Sequence, residues 1–314
     1  MTQRKILQGL HPYEYEHPFD ARALNLLQGT PGLESLSRKF IKDGIERFYT
    51  IQYQGSNLRI TEDNYPEIYD QLRRACEVVD LKSLPDLYVE WNDGVNAFTV
   101  GIDRPLIVIT SGAVDRLSDS EMAFLLGHEL GHVKSRHVLY HLMANSLTTA
   151  GSMVGDWTLG IGKLLTMPLQ LALFRWSRMS EFTADRCGLL TCQEFDSVVS
   201  TFIKIAGLPE KFKDNIDRSG FLQQAREFEA LDFEKTNKWL KFATNLSRTH
   251  PWTVLRSAEL IRWIESSEYQ KVLERQTLHR IHVRYEGTTP FCRRCGYRLQ
   301  GTEKFCNSCG QGLT

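Results

Sequence analysis

Prolines and glycines punctuate residues 1–30, no apolar period survives there, and the segment is expected to be an arm or loose cover. From 34 to 48, Leu36, Phe40, Ile41, Ile45 and Phe48 recur at helical spacing. Over 65–79, Ile68, Leu72, Ala75, Cys76 and Val79 repeat that pattern. The period then shortens. Residues 87–91, 97–100 and 106–110 are rich in β-branched and aromatic side chains, and Ile102-Asp103-Arg104-Pro105 between the last two has the form of a hairpin turn. A three-stranded sheet is expected. Ser118-Asp119-Ser120-Glu121 has the form of a helix start, with a serine oxygen capping backbone amides and Glu121 reaching back. The helix it opens carries Met122, Leu125, Leu126, Leu130 and Val133, and is expected to run to about residue 150. Residues 210–284 read as further helices, interrupted at His250-Pro251. Strands followed by long helices predict an α+β fold that is mostly helical.

Near Gly287 the chain becomes rich in Gly, Cys and Arg. The expected organisation is an N-terminal arm and helix over 1–60, a main domain over 61–284 and a small module over 285–314. Hydrophobic residues at 42% and charged residues at 24% allow a substantial core. Lys+Arg and Asp+Glu balance at 38 each, which argues against a binder drawn by net charge to nucleic acid or anionic membrane. The first residues lack the apolar stretch of a secretory leader, so a cytoplasmic protein with reduced thiols is expected. Of the seven cysteines, Cys76, Cys187 and Cys192 read as small buried hydrophobes. Residues 142–174 hold only Asp156 and Lys163 as charges, but their longest uncharged runs, 14 and 11 residues, fall short of a spanning helix. They are expected to form a buried or surface-lying helical pair, with peripheral membrane contact as the alternative.

The chemistry concentrates at His128-Glu129-Leu130-Gly131-His132. Histidines four apart on a helix project from one face and can grip a single ion, and the adjacent carboxylate can take a proton from metal-bound water. Gly127 precedes the motif and Gly131 lies within it, each at a cost of about 1 kcal/mol relative to Ala inside a helix, so something is expected to pack closely there. A third protein ligand is still needed. In the compact third-histidine register, position 138 is Val and position 135 is Ser, so that option fails. His137 and His141 are read as solvated or hydrogen-bonded helix residues. Glu181 and Asp185, four apart downstream, form the better pair: Glu181 as ligand, Asp185 orienting a ligand histidine through its free N–H.

The motif, Ser177-Arg178, Glu181 and Ala184-Asp185 together resemble the M48 family of zinc metallopeptidases, HtpX-like gluzincins of the HExxH type. Asn96-Ala97-Phe98, residues 106–110, Thr249-His250-Pro251 and Arg256 extend the likeness over about residues 60–265. The resemblance implies a zincin-like fold in which His128, His132 and Glu181 bind zinc and Glu129 is general base and later proton donor. Asp185 would support a ligand histidine. Asn96 and His250 would line the cleft, with His250 stabilising the oxyanion. Arg256 would sit near Glu129, ordering the site or pairing with a carboxylate. Residues 106–110 would be the edge strand that receives an extended protein or peptide substrate. Membrane-embedded relatives have clear spanning helices, whereas the segment between the motif and Glu181 is too interrupted to read as one, so a soluble or peripheral protease acting on damaged or misfolded protein is expected. A catalytically silent interaction protein is the alternative, and the presence of Glu129 argues against it.

Cys292 and Cys295, then Cys306 and Cys309, form two Cys-x-x-Cys knuckles, each followed by glycine. Four thiolates close a structural zinc site, and a module this small needs metal to fold. Two zinc ions per chain are therefore expected, one catalytic and one structural. Arg293, Arg294, Arg298 and Lys304 outnumber Glu286 and Glu303 only slightly, so this zinc ribbon is expected to dock protein rather than nucleic acid.

Overall fold

The computed structural model describes residues 4–30, 33, 37, 45–101, 104–149, 167–230 and 252–275. His250, the four ribbon cysteines and most of the helix expected over 34–48 lie outside the described residues.

Among the described residues, helices α1 (Pro18–Gln28) and α2 (Ile45–Ser56) precede strand β1 (Leu58–Ile60) and helix α3 (Pro66–Val78). Then come β2 (Asp86–Glu90), β3 (Ala97–Val100) and β4 (Leu106–Thr110). The elements described after β4 are helices: α4 (Ser111–Arg116), α5 (Asp119–Lys134), α6 (Val138–Thr149), α7 (Met167–Cys192), α8 (Phe195–Ala206), α9 (Arg218–Ala230), α10 (Thr253–Glu265) and α11 (Glu268–Leu273). This is the mostly helical α+β class expected, but the sheet has four strands in the order β1-β2-β4-β3. The overlooked strand, β1, is three residues long, too short to show a period.

The order also corrects the edge. β4 pairs parallel with β2 and antiparallel with β3, so it is interior, and β3 is the edge strand on that side. The reason lies in the composition of Leu106–Thr110. All five residues are buried, as in a strand covered on both faces. Ile107 and Ile109 enter a core shared with α3, α5, α8 and the C-terminal half of α7. Leu106 and Val108 enter a second core with α1, α6 and the N-terminal half of α7. Successive side chains point to opposite faces, so Thr99 on β3 shares the α5 side with Ala97.

The N-terminal segment is packed, not loose. Leu7, Tyr15 and Leu27 are fully buried, and the Leu7 amide donates to the Val78 carbonyl at 2.8 Å. His17 caps α1, its Nδ1 accepting from the Phe19 amide, and its Nε2 meets Glu259 at 3.1 Å. Punctuation by Pro and Gly here marks a segment whose shape is set by the surface it covers.

Ser118 and Glu121 form the expected capping box, and Glu121 also accepts from Lys204 and Ser200 of α8. The helix nevertheless stops at Lys134, well short of residue 150. Arg136 adopts a left-handed conformation at φ 59°. The Arg136 amide then donates to the Val133 carbonyl and the His137 amide to that of His132, a Schellman closure that turns the chain back. Among the described residues no helix is long and apolar enough to cross a membrane. Cys76, Cys187 and Cys192 are buried free thiols, as expected, and burial pushes each up to about 12.

Candidate metal centre

The site rests on the contact between α5 and α7, which approach through small residues. A Cβ on Gly127 would collide with the Thr191 side chain, and one on Gly131 would lie 2.8 Å from the Cys187 Cβ. On α7, Gly188 leaves room for the Phe124 ring. The two helices therefore come close enough for side chains one turn apart on each to meet.

His128, His132 and Glu181 converge there. The Nε2 atoms of the two histidines are 3.1 Å apart; Glu181 Oε2 lies 3.4 Å from the first and Oε1 3.4 Å from the second. Three donors bound to one zinc at about 2.0–2.1 Å with tetrahedral angles lie roughly 3.3 Å from each other. The donor set and its spacing fit that ion. All three side chains are buried, Glu181 completely.

Asp185 lies one turn beyond Glu181: its Oδ1 meets His128 Nδ1 at 2.9 Å and accepts from Arg256 Nη2, and its Oδ2 accepts from Arg256 Nε at 2.8 Å. Burial disfavours a charged Asp185, but the Arg256 guanidinium outweighs it and holds the carboxyl below its ordinary range. Burial likewise opposes charge on His128, yet the facing Asp185 and Glu181 carboxylates raise it to about 9 without metal. His132 goes the other way: burial dominates its neighbours and lowers it. Arg256 is thus buried behind Asp185.

Glu129 is buried, and its Oε2 accepts from Thr99 Oγ1 of the edge strand at 2.7 Å. Asn96 is exposed just ahead of β3, its backbone tied to Thr110.

Several partners were not anticipated. Thr99 carries no motif signal beyond its place on a strand. His137, read as a solvated or hydrogen-bonded helix residue, is buried and hydrogen-bonded, with Nδ1 3.1 Å from His132 Nδ1 and Nε2 3.2 Å from Asp20 of α1. His141 is hydrogen-bonded to Ser180 at 2.8 Å and Ser177 at 3.1 Å. The available signal was the density of histidines at 128, 132, 137 and 141, which an unbroken helix would have splayed over different faces.

This fold, with paired helix histidines, an intervening glutamate and a facing carboxylate, defines a metallopeptidase. A family model described as Peptidase family M48 matches residues 62–264, more than half of the chain. The chain belongs to peptidase family M48, whose members are zinc-dependent. It is 30% identical to the plastoglobule-localized metallopeptidase 48, chloroplastic, of Arabidopsis thaliana over 273 residues, covering 86% of this chain and 78% of that protein. Protease HtpX homolog 2 of Methanosarcina acetivorans is 27% identical over 194 residues, 54% of this chain and 65% of the relative. Protease HtpX homolog of Burkholderia cenocepacia is 24% identical over 267 residues, 76% of this chain and 86% of the relative.

Proposed function

We propose that this metallopeptidase is a zinc endopeptidase that cuts unfolded or flexible protein segments, with His128, His132 and Glu181 holding the ion. The observation that carries the reading is the donor spacing, 3.1, 3.4 and 3.4 Å, beside a glutamate tied to the edge strand. Zinc bound there would act as a Lewis acid that brings the acidity of water toward neutral pH.

The chain's own residues supply the rest. Glu129, its Oε2 held by Thr99, is positioned to take the proton of the attacking water on Oε1 and deliver it to the departing amine. An extended segment added to β3 by backbone pairing would run alongside Thr99, bringing a scissile bond toward Glu129. Backbone pairing selects for exposed, extended chain more than for particular side chains. Asn96, exposed at the start of β3, is placed to contact that segment, and His250 is assigned the oxyanion by family resemblance. Asp185 and Arg256 orient His128. Cys292, Cys295, Cys306 and Cys309 hold a second, structural zinc in a module that docks protein. The plastoglobule location in the Arabidopsis relative's name favours peripheral lipid contact through residues 142–174.

Digestion of an unfolded substrate such as casein by wild type and Glu129→Gln tests the chemistry. The variant should retain zinc and lose about 10²–10⁴-fold in rate. Equal rates in the two proteins would remove Glu129 from the mechanism.

A further inference from the structure

The neighbour of His132 away from Glu181 is not solvent but a second buried histidine. His132 Nδ1 lies 3.1 Å from His137 Nδ1, and His137 Nε2 lies 3.2 Å from Asp20 Oδ2. His137 and Asp20 are buried, and Asp20 is held in place by Thr183 Oγ1, which donates to it at 2.6 Å. Thr183 Oγ1 in turn accepts from the His17 amide at 3.0 Å, so the N-terminal segment is locked to α7 at this point.

One protonation pattern gives every N–H of this chain an acceptor. If His132 binds zinc through Nε2, its remaining proton sits on Nδ1. His137 Nδ1 must then be the acceptor, its proton must sit on Nε2, and that N–H points at the Asp20 carboxylate. Every imidazole N–H then meets a lone pair. A carboxylate–histidine pair behind a metal ligand fixes its ring plane and raises its basicity. Here an extra imidazole is interposed and the carboxylate comes from a different part of the chain.

We propose that His137 and Asp20 are positioning residues for His132, so that the N-terminal segment completes the metal centre. This rests on the reading of His128, His132 and Glu181 as the zinc ligands. The competing use of the same ring, a second ion held by His132, His137 and His141, is disfavoured by the contacts already made. His137 Nε2 is engaged by Asp20, and both nitrogens of His141 by Ser180 and Ser177.

The test is zinc affinity of the full chain by chelator competition, with Glu181→Ala as the baseline for zinc held elsewhere. His137→Phe keeps a ring against Trp176 but can neither accept from His132 nor donate to Asp20. It should weaken binding about 10–100-fold, and Asp20→Asn, which keeps volume and removes charge, about tenfold or less. Circular dichroism and thermal unfolding of the metal-free proteins separate this from loss of fold. In zinc-loaded wild type, nitrogen-15 imidazole spectra should show His137 protonated on Nε2. If both variants bind zinc as wild type does, or His137 carries its proton on Nδ1, or a second ion binds at His137 and His141, the positioning role is overturned. If wild type binds no more zinc than Glu181→Ala, the metal-centre reading fails and takes this one with it.

Discussion

His128 and His132 stand one turn apart on one helix, yet unlike groups hold their outer nitrogens. Behind His128 is a charged pair, Asp185 with Arg256, contributed by α7 and α10. Behind His132 is a second imidazole, His137, and then Asp20, whose partners are His137 and the Thr183 hydroxyl. The first support is an ion pair that must stay intact because both members are buried. The second is a relay of hydrogen bonds ending in a carboxylate that meets no lysine or arginine among the described residues. The difference teaches that one side of the site is fixed by charge and the other by the shape of the chain around it.

The largest consequence falls on the charged side. Arg256→Met leaves Asp185 buried without its guanidinium, and breaking such a pair from one side costs about 3–5 kcal/mol. Chemical denaturation of the metal-free protein measures it. Adding Asp185→Asn to Arg256→Met should recover part of that loss, because the orphaned charge is then gone. A single variant as stable as wild type would show that Asp185 is not charged in the folded protein. The contrast drawn between the two supports would then collapse.

A middle-sized effect tests what both supports share, the close approach of α5 and α7. Gly127→Ala places a methyl against Thr191, and overpacking of this kind costs about 1–3 kcal/mol, of which better helix propensity returns up to about 1. Thermal unfolding should fall accordingly. Gly131→Ala, against Cys187 and Ala184, lies closer to Glu181 and should weaken zinc binding as well as stability. If Gly131→Ala changed stability but not zinc affinity, the ligand helices would be shown to tolerate separation.

What could be read in advance follows from this same contrast. His128 and His132, like Glu181 and Asp185, are four apart, and helical period alone shows that each pair shares a face. Gly127 and Gly131 announced close packing. The His132 support crosses the chain instead: Asp20 is 117 positions from His137 and lies in a segment whose prolines suggested looseness. The Schellman turn that brings His137 back uses Arg136, not glycine, at its left-handed position, so its usual marker is missing. The edge strand was misassigned although Leu106–Thr110 had the unbroken apolar character of a doubly covered strand. Thr99, the residue that ties the edge to Glu129, could be found only once the strand order was known.

The smallest effect isolates that turn. At φ 59° the Arg136 Cβ is unfavourable by roughly 1–2 kcal/mol, while glycine would cost about 0.5–1 kcal/mol in chain entropy. Arg136→Gly should therefore be stabilising by at most about 1 kcal/mol and leave zinc affinity unchanged, because the turn itself is kept. Arg136→Val, β-branched at the same φ, should lower both, since a straightened α5 would carry His137 away from His132. Thermal unfolding and chelator competition on the two variants provide the check. A loss of zinc affinity in Arg136→Gly would mean that the arginine side chain, not the backbone turn, keeps His137 in place, and the His132 support would then depend on charge after all.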